Sequence, residues 1–220
     1  AIATVLSNAI SAIVLFRRLC RTDHVIRIKR TEFKFDAGVA GRILRIGLPA
    51  GIQGAVFAVA NIVIQSAINS LGTIVMAASS AALNIEIIVY DIMNSFSQAC
   101  TTFTGQNYGA GDLKRCKKSL YLCIIEAAVA CAVSIMLILF FGKSLLALFN
   151  SDPRVVEIGY TRLLIIFSAY TFSMLYENMS GYLRGFGLSL VPAILTVFGV
   201  CVVRLVWIYT VFPAHRTFTT

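Results

Sequence analysis

Charge is the scarce ingredient of this chain: Asp, Glu, Lys and Arg together make up 13% of its 220 residues, about half the share found in a soluble globular domain. A water-exposed surface of ordinary composition is therefore excluded. Histidine is nearly absent, and His24 and His215 stand far apart, so no histidine-based metal cluster is visible. The six cysteines (Cys20, Cys100, Cys116, Cys123, Cys131 and Cys201) form no C-x-x-C pair, which leaves neither a zinc knuckle nor a dithiol motif. Five lie in or beside apolar runs and read as small buried hydrophobes. Acidic groups are fewer than basic ones, 10 against 19. The resulting charge of +9 would suit nucleic acid only if the basic groups lined one face, yet they punctuate apolar stretches, so no nucleic-acid partner is expected.

What is abundant is apolar: 58% of the residues are hydrophobic and the mean hydropathy is +0.84. Such a chain is an integral membrane protein whose first partner is the lipid bilayer. Apolar runs of helical length then imply an all-α, polytopic transmembrane helix bundle, because backbone groups in hydrocarbon must be satisfied within the segment.

The pattern predicts helices over about 46–71, 73–104, 115–141, 153–182 and 188–212, with a short interfacial helix over 142–149. Residues 1–16 are apolar but too short to span a core of about 30 Å. No basic segment precedes them, so they read as the end of a transmembrane helix rather than a signal peptide, and the chain as a fragment. Residues 17–45 read as a basic cytoplasmic linker. Of the 19 basic residues, fourteen fall in that linker, in 105–118 or at Arg184, against Lys143, Arg154 and Arg216 on the other side. The asymmetry predicts that 17–45 and 105–118 are cytoplasmic.

The helix from Thr73 carries Glu86 and Asp91 near the bilayer middle, where an ionised group costs at least about 2.5 to 3.5 kcal/mol and normally faces a bundle interior or a water-filled path. At 100° per residue, Glu86, Tyr90, Asn94 and Ser97 share one side, with Asn84, Asp91 and Gln98 on the adjoining one. Gln53, Asn61, Gln65 and Asn69 recur at intervals of four and eight and form a second polar stripe. Either flank could line a cavity or join helices. Glu126 and Glu177 lie nearer the inner interface, where snorkelling is cheap. Arg204, inside the last span, needs a partner, and Glu86 is one candidate. No metal set emerges.

Several stretches resemble the multidrug and toxic compound extrusion transporters: Gly47-Leu-Pro49-Ala-Gly-Ile-Gln53, Ala81-Ala-Leu-Asn84, Thr104-Gly105-Gln-Asn-Tyr-Gly109-Ala-Gly111, Leu183-Arg184-Gly185-Phe-Gly187 and Arg204-Leu-Val-Trp207. The resemblance implies two six-helix lobes, with residues 46–220 matching most of the second. The first lobe would then be this lobe's partner within the complete chain. It further implies an antiporter of the plasma membrane that exports small organic, cationic or amphipathic compounds in exchange for Na⁺ or H⁺, without a cofactor and not an enzyme. Pro49, Gly105, Gly109, Arg184 and Gly185 would be structural motif residues. Glu86, Asp91, Asn84, Tyr90, Gln53, Asn61, Gln65 and Glu177 are the candidates for binding substrate or ion, with Glu86 ranked first. Two positions that carry an acid in one branch of that family are Phe57 and Ser173 here. A flippase for lipid-linked oligosaccharides or lipids is the alternative within the same wider group. A remote one is an intramembrane aspartyl protease, suggested by Tyr90-Asp91 with Gly109-Ala-Gly111-Asp112, whose paired carboxylates would have to meet at one buried site.

Overall fold

The computed structural model describes residues 2–22, 27 and 35–214. His24, His215, Arg216 and, within the basic linker, residues 23–26 and 28–34 lie outside them. The order is α1 (Ile2–Arg21), α2 (Ala37–Asn69), α3 (Thr73–Gly109), α4 (Leu113–Phe149), α5 (Pro153–Ser168), α6 (Tyr170–Gly185), α7 (Leu190–Thr196), a π-helical turn (Val197–Val202) and α8 (Val203–Thr210). Among the described residues there is no strand. Two units are distinguished, Ala1–Ile43 and Leu44–Thr220. In the first, α1 buries no residue, is exposed except at half-buried Leu19 and Cys20, and carries Arg18 and Arg21 in its last turn, where cations complement the helix dipole.

Five helices are long and apolar enough to cross a membrane, and the bent pair α5 and α6 makes a sixth candidate. Helix ends overrun the expected linker from both sides. α1 continues to Arg21, and α2 begins at Ala37, where the Asp36 carboxylate accepts from the Val39 amide at 3.0 Å, a normal cap. Pro49 consequently sits in the interior of α2 rather than its first turn.

α3 has 37 residues, roughly 55 Å of helix, and does not break at Gly105. A helical glycine costs about 1 kcal/mol, which packing of Thr104 and Gly105 against α6 offsets. The chain turns instead at Gly111, whose φ of 79° is open to glycine at little cost, and Asp112 caps α4 through the Arg115 amide at 2.9 Å. The expected interfacial helix at 142–149 is part of an unbroken α4. Gly142 is a notch for the Tyr160 ring, 3.0 Å from where a Cβ would stand, so it serves packing rather than a break.

Conversely, the single helix expected over 153–182 is two, bent by 50°. At the bend the Ser168 hydroxyl donates to the Ile165 carbonyl at 2.7 Å, and the Ala169 amide turns back to Ile166 at 3.1 Å. Side-chain hydroxyls competing for helix carbonyls are a known cause of bending.

The core lies among α3, α4, α5 and α6. On α3 the buried residues Ala78, Ala82, Ile85, Val89, Met93, Ser97, Cys100 and Thr104 recur every three or four positions, the period of one helix face. Cys100, Cys116, Cys123, Cys131 and Cys201 are all buried. On the opposite side Phe140 is 81% and Met136 70% exposed. Apolar faces of that extent belong in lipid.

Candidate functional site

The polar flank of α3 divides along its length. Ser97 turns into the bundle, while Asn84, Tyr90, Asp91 and Gln98 stay exposed. The Asp91 carboxylate makes no hydrogen bond or ion pair among the described residues. Asn84 bonds only its own helix, donating from Nδ2 to the Ser80 carbonyl at 2.9 Å.

Glu86 goes the other way. Its Oε2 lies 3.5 Å from Nη2 of Arg162 on α5, with the side chains only 22% and 14% exposed, and the same guanidinium donates to the Ser79 hydroxyl. The expected pairing with Arg204 is corrected: Arg162 on α5, not Arg204 on α8, neutralises Glu86. A low-dielectric setting makes such a pair costly to break from one side, so Glu86 is already committed.

The α2 stripe also splits. Gln53 Nε2 donates to Thr196 Oγ1 at 2.8 Å and to Tyr176 Oη at 3.3 Å, tying α2 to α7 and α6. Tyr176 and Thr196 bond each other as well, and Gln53 Oε1 is buried with no partner. Asn61 Oδ1 accepts from Arg204 Nη1 at 3.5 Å, and that guanidinium stands 5.5 Å from the Phe57 ring centre. Gln65 reaches only Asn69, at 2.9 Å. Glue is thus the reading for Gln53, whereas Asn61 belongs to a separate cluster with Arg204.

At the other end, α3 and α6 cross closely. Ser97 Oγ donates to the Glu177 carbonyl at 2.7 Å and Thr101 Oγ1 to the Gly181 carbonyl at 2.9 Å. A Cβ on Gly181 would stand 2.4 Å from the Ser97 carbonyl oxygen, and one on Gly185 2.6 Å from Thr104 Cβ. Two glycines four apart let the backbones approach, the small-xxx-small logic of helix pairing in lipid. Glu177 is half-buried two turns from Arg184 on the same helix. Gly109 ends α3, and Tyr108 packs edge-on against Phe186 at 4.9 Å.

The protease alternative fails on this geometry. Asp112 is the cap of α4, and about 27 Å of α3 separates Asp91 from that turn.

A family model, MatE, matches residues 49–210. The chain belongs to the MatE family. Its relatives include the probable multidrug resistance protein NorM of Thermotoga maritima, 29% identical over 93% of this chain and 44% of that protein. Another is the multidrug resistance protein PmpM of Pseudomonas aeruginosa, 34% identical over 74% of this chain and 34% of that one. This MatE chain therefore spans less than half the length of these relatives. A MATE transporter solved in complex with MaL6 overlays with a TM-score of 0.80 at 20% identity, covering 97% of this chain and 48% of that chain, which shows the fold. The MatE chain is thus a multi-pass membrane protein whose relatives are transporters.

Reading the residues alone missed the Arg162 partnership and the Tyr176–Thr196 node. Arg162 stood in an apolar run as plainly as Arg204 did, but sequence offers no way to choose between two guanidinium groups that lie on different helices. Gly181 and Gly185, in contrast, carried their signal in their spacing.

Proposed function

We propose that the complete protein is a secondary antiporter of the plasma membrane. It exports organic, cationic or amphipathic compounds by alternating access, driven by inward Na⁺ or H⁺ and requiring no cofactor. In this reading residues 17–45 and 105–118 are cytoplasmic, and the other lobe of the chain supplies the facing wall of the path.

The observation that carries the reading is the exposed polar patch of Asn84 and Asp91 on one side, with Tyr90 on the adjoining one, midway along a membrane-length helix. Lipid cannot solvate a carboxylate there, so the patch belongs to a water-filled cavity at the depth where transporters bind substrate and coupling ion. With Glu86 held by Arg162, Asp91 is the carboxylate of this lobe best placed to meet a cationic group. Gln53 and Glu177 take supporting positions, the first in helix joining and the second nearer the inner mouth. The multidrug names of the relatives support the substrate class.

The test uses the full-length protein in proteoliposomes loaded with ethidium. Efflux that requires a Na⁺ or H⁺ gradient and is lost in Asp91→Asn supports the proposal, and absence of gradient-dependent efflux in the unaltered protein overturns it.

A further inference from the structure

We propose that Arg204, with Asn61 and Phe57, forms an anion-recognising subsite that takes the carboxylate of an amphipathic organic compound, a specificity determinant resting on the transport reading above.

Acidic groups are unevenly placed in this lobe. α2, α7, the π-helical turn and α8 contain no Asp or Glu, whereas Glu86, Asp91, Glu126 and Glu177 all lie on α3, α4 and α6. Arg204 is thus a basic group inside a span of a flank with no acid of its own; the flank's other two, Arg42 and Arg45, stand near the start of α2. The carboxylate that sequence suggested for it is taken by Arg162. Its described partners, Asn61 and Phe57, are uncharged, and it makes no ion pair among the described residues. A cation left so within a span is costly to keep and by default marks a functional site.

The arrangement suits a carboxylate on an apolar body. Guanidinium carries five donors in a planar fork, and one long bond to Asn61 leaves an edge for bidentate pairing with a carboxylate. The Phe57 ring, 5.5 Å from the guanidinium, attracts the cation on one side and offers an apolar surface beside it. Arg204 itself is exposed, so the fork is accessible.

A second observation points to the same place. The π-helical turn Val197–Val202 ends two residues before Arg204. Such turns are rare and gather at functional sites. One extra residue in the turn rotates all that follows by roughly 100°, so a regular helix would carry Arg204 away from Asn61.

Equilibrium binding to the full-length protein in phosphatidylcholine nanodiscs tests this, with carboxyfluorescein as the carboxylate probe and ethidium as the cationic one. The unaltered protein should bind carboxyfluorescein saturably. Arg204→Gln should lower the ratio of carboxyfluorescein to ethidium affinity about tenfold or more, the scale of a charge-assisted hydrogen bond, and Arg204→Lys should restore part of it. No saturable carboxyfluorescein binding, an unchanged ratio, or affinities that fall together with thermal stability would each overturn the subsite. Gradient-driven ethidium efflux by the unaltered protein judges the transport reading separately, so either idea can fail alone.

Discussion

Gly181→Ala is the sharpest probe of how this lobe is held together. The new Cβ would stand 2.4 Å from the Ser97 carbonyl oxygen, 2.7 Å from its hydroxyl and 3.1 Å from Thr101 Oγ1, where ordinary contact begins near 3.4 Å. The nearest atom is backbone and cannot swing aside, so α6 has to retreat from α3 by about 1 Å to regain ordinary contact. That movement stretches two interhelical bonds, Ser97 to the Glu177 carbonyl at 2.7 Å and Thr101 to the Gly181 carbonyl at 2.9 Å. Overpacking costs about 1 to 3 kcal/mol, and each lost interhelical bond adds about 0.6 kcal/mol. A destabilisation of about 2 to 4 kcal/mol is therefore expected. Gly109→Ala is the control, since a Cβ there meets nothing within 4 Å and alanine is the better helix former. Thermal melting of full-length protein in detergent, followed by size exclusion, should show a clear drop for Gly181→Ala and none for Gly109→Ala. Equal melting of Gly181→Ala and the unaltered protein would refute the close crossing.

Other outcomes follow from the same contacts. Arg162→Gln leaves Glu86 half-buried and unpaired, a loss of about 3 to 5 kcal/mol when one partner of a buried pair is removed; adding Glu86→Gln should recover much of it, and additive losses in the double variant would count against the pair. At the start of α5, the Arg154 side chain and then its amide hold the Asp152 carboxyl below its ordinary 3.8. A depressed carboxyl stabilises the fold above the unfolded value and loses that contribution as pH falls through the folded one. The melting difference between the unaltered protein and Asp152→Asn should thus be present at pH 7 and fade as pH falls from 3.8 through the lower folded value; a constant difference would show that charge plays no part. Gln53→Leu should lower melting by about 1 to 3 kcal/mol, because its amide supplies the α2 end of the Tyr176–Thr196 node, and unchanged melting would place the helix-joining role elsewhere.

Fold class was legible because bilayer thickness and backbone satisfaction leave few solutions. The start of α5 at Asp152-Pro153 was legible for a local reason, a capping acid and a first-turn proline. Where local signals and packing competed, packing prevailed: glycine-rich 105–109 stayed helical against α6, and Gly142 received a tyrosine ring instead of ending a helix. The bend at Ser168 was invisible, since a serine in an apolar run as often bonds its own helix without bending it. The polar flank of α3 was legible as a flank, but its division was not. Glu86 and Asp91 are five residues apart and nearly alike in surroundings along the chain. Only the position of Arg162 on a helix distant in sequence decides that one is neutralised and the other left open.

In the proposed function the open carboxylate on α3, Asp91, couples an ion gradient to the export of organic compounds. Full-length protein and its Asp91→Asn variant, reconstituted at equal abundance and orientation, should be compared for ethidium efflux per molecule under an imposed Na⁺ or pH gradient. The unaltered protein should drive efflux under at least one gradient, and Asp91→Asn should lose it by tenfold or more, about 1.4 kcal/mol of coupling, while melting normally. Efflux per molecule by Asp91→Asn equal to that of the unaltered protein would show that Asp91 does not couple the gradient to export.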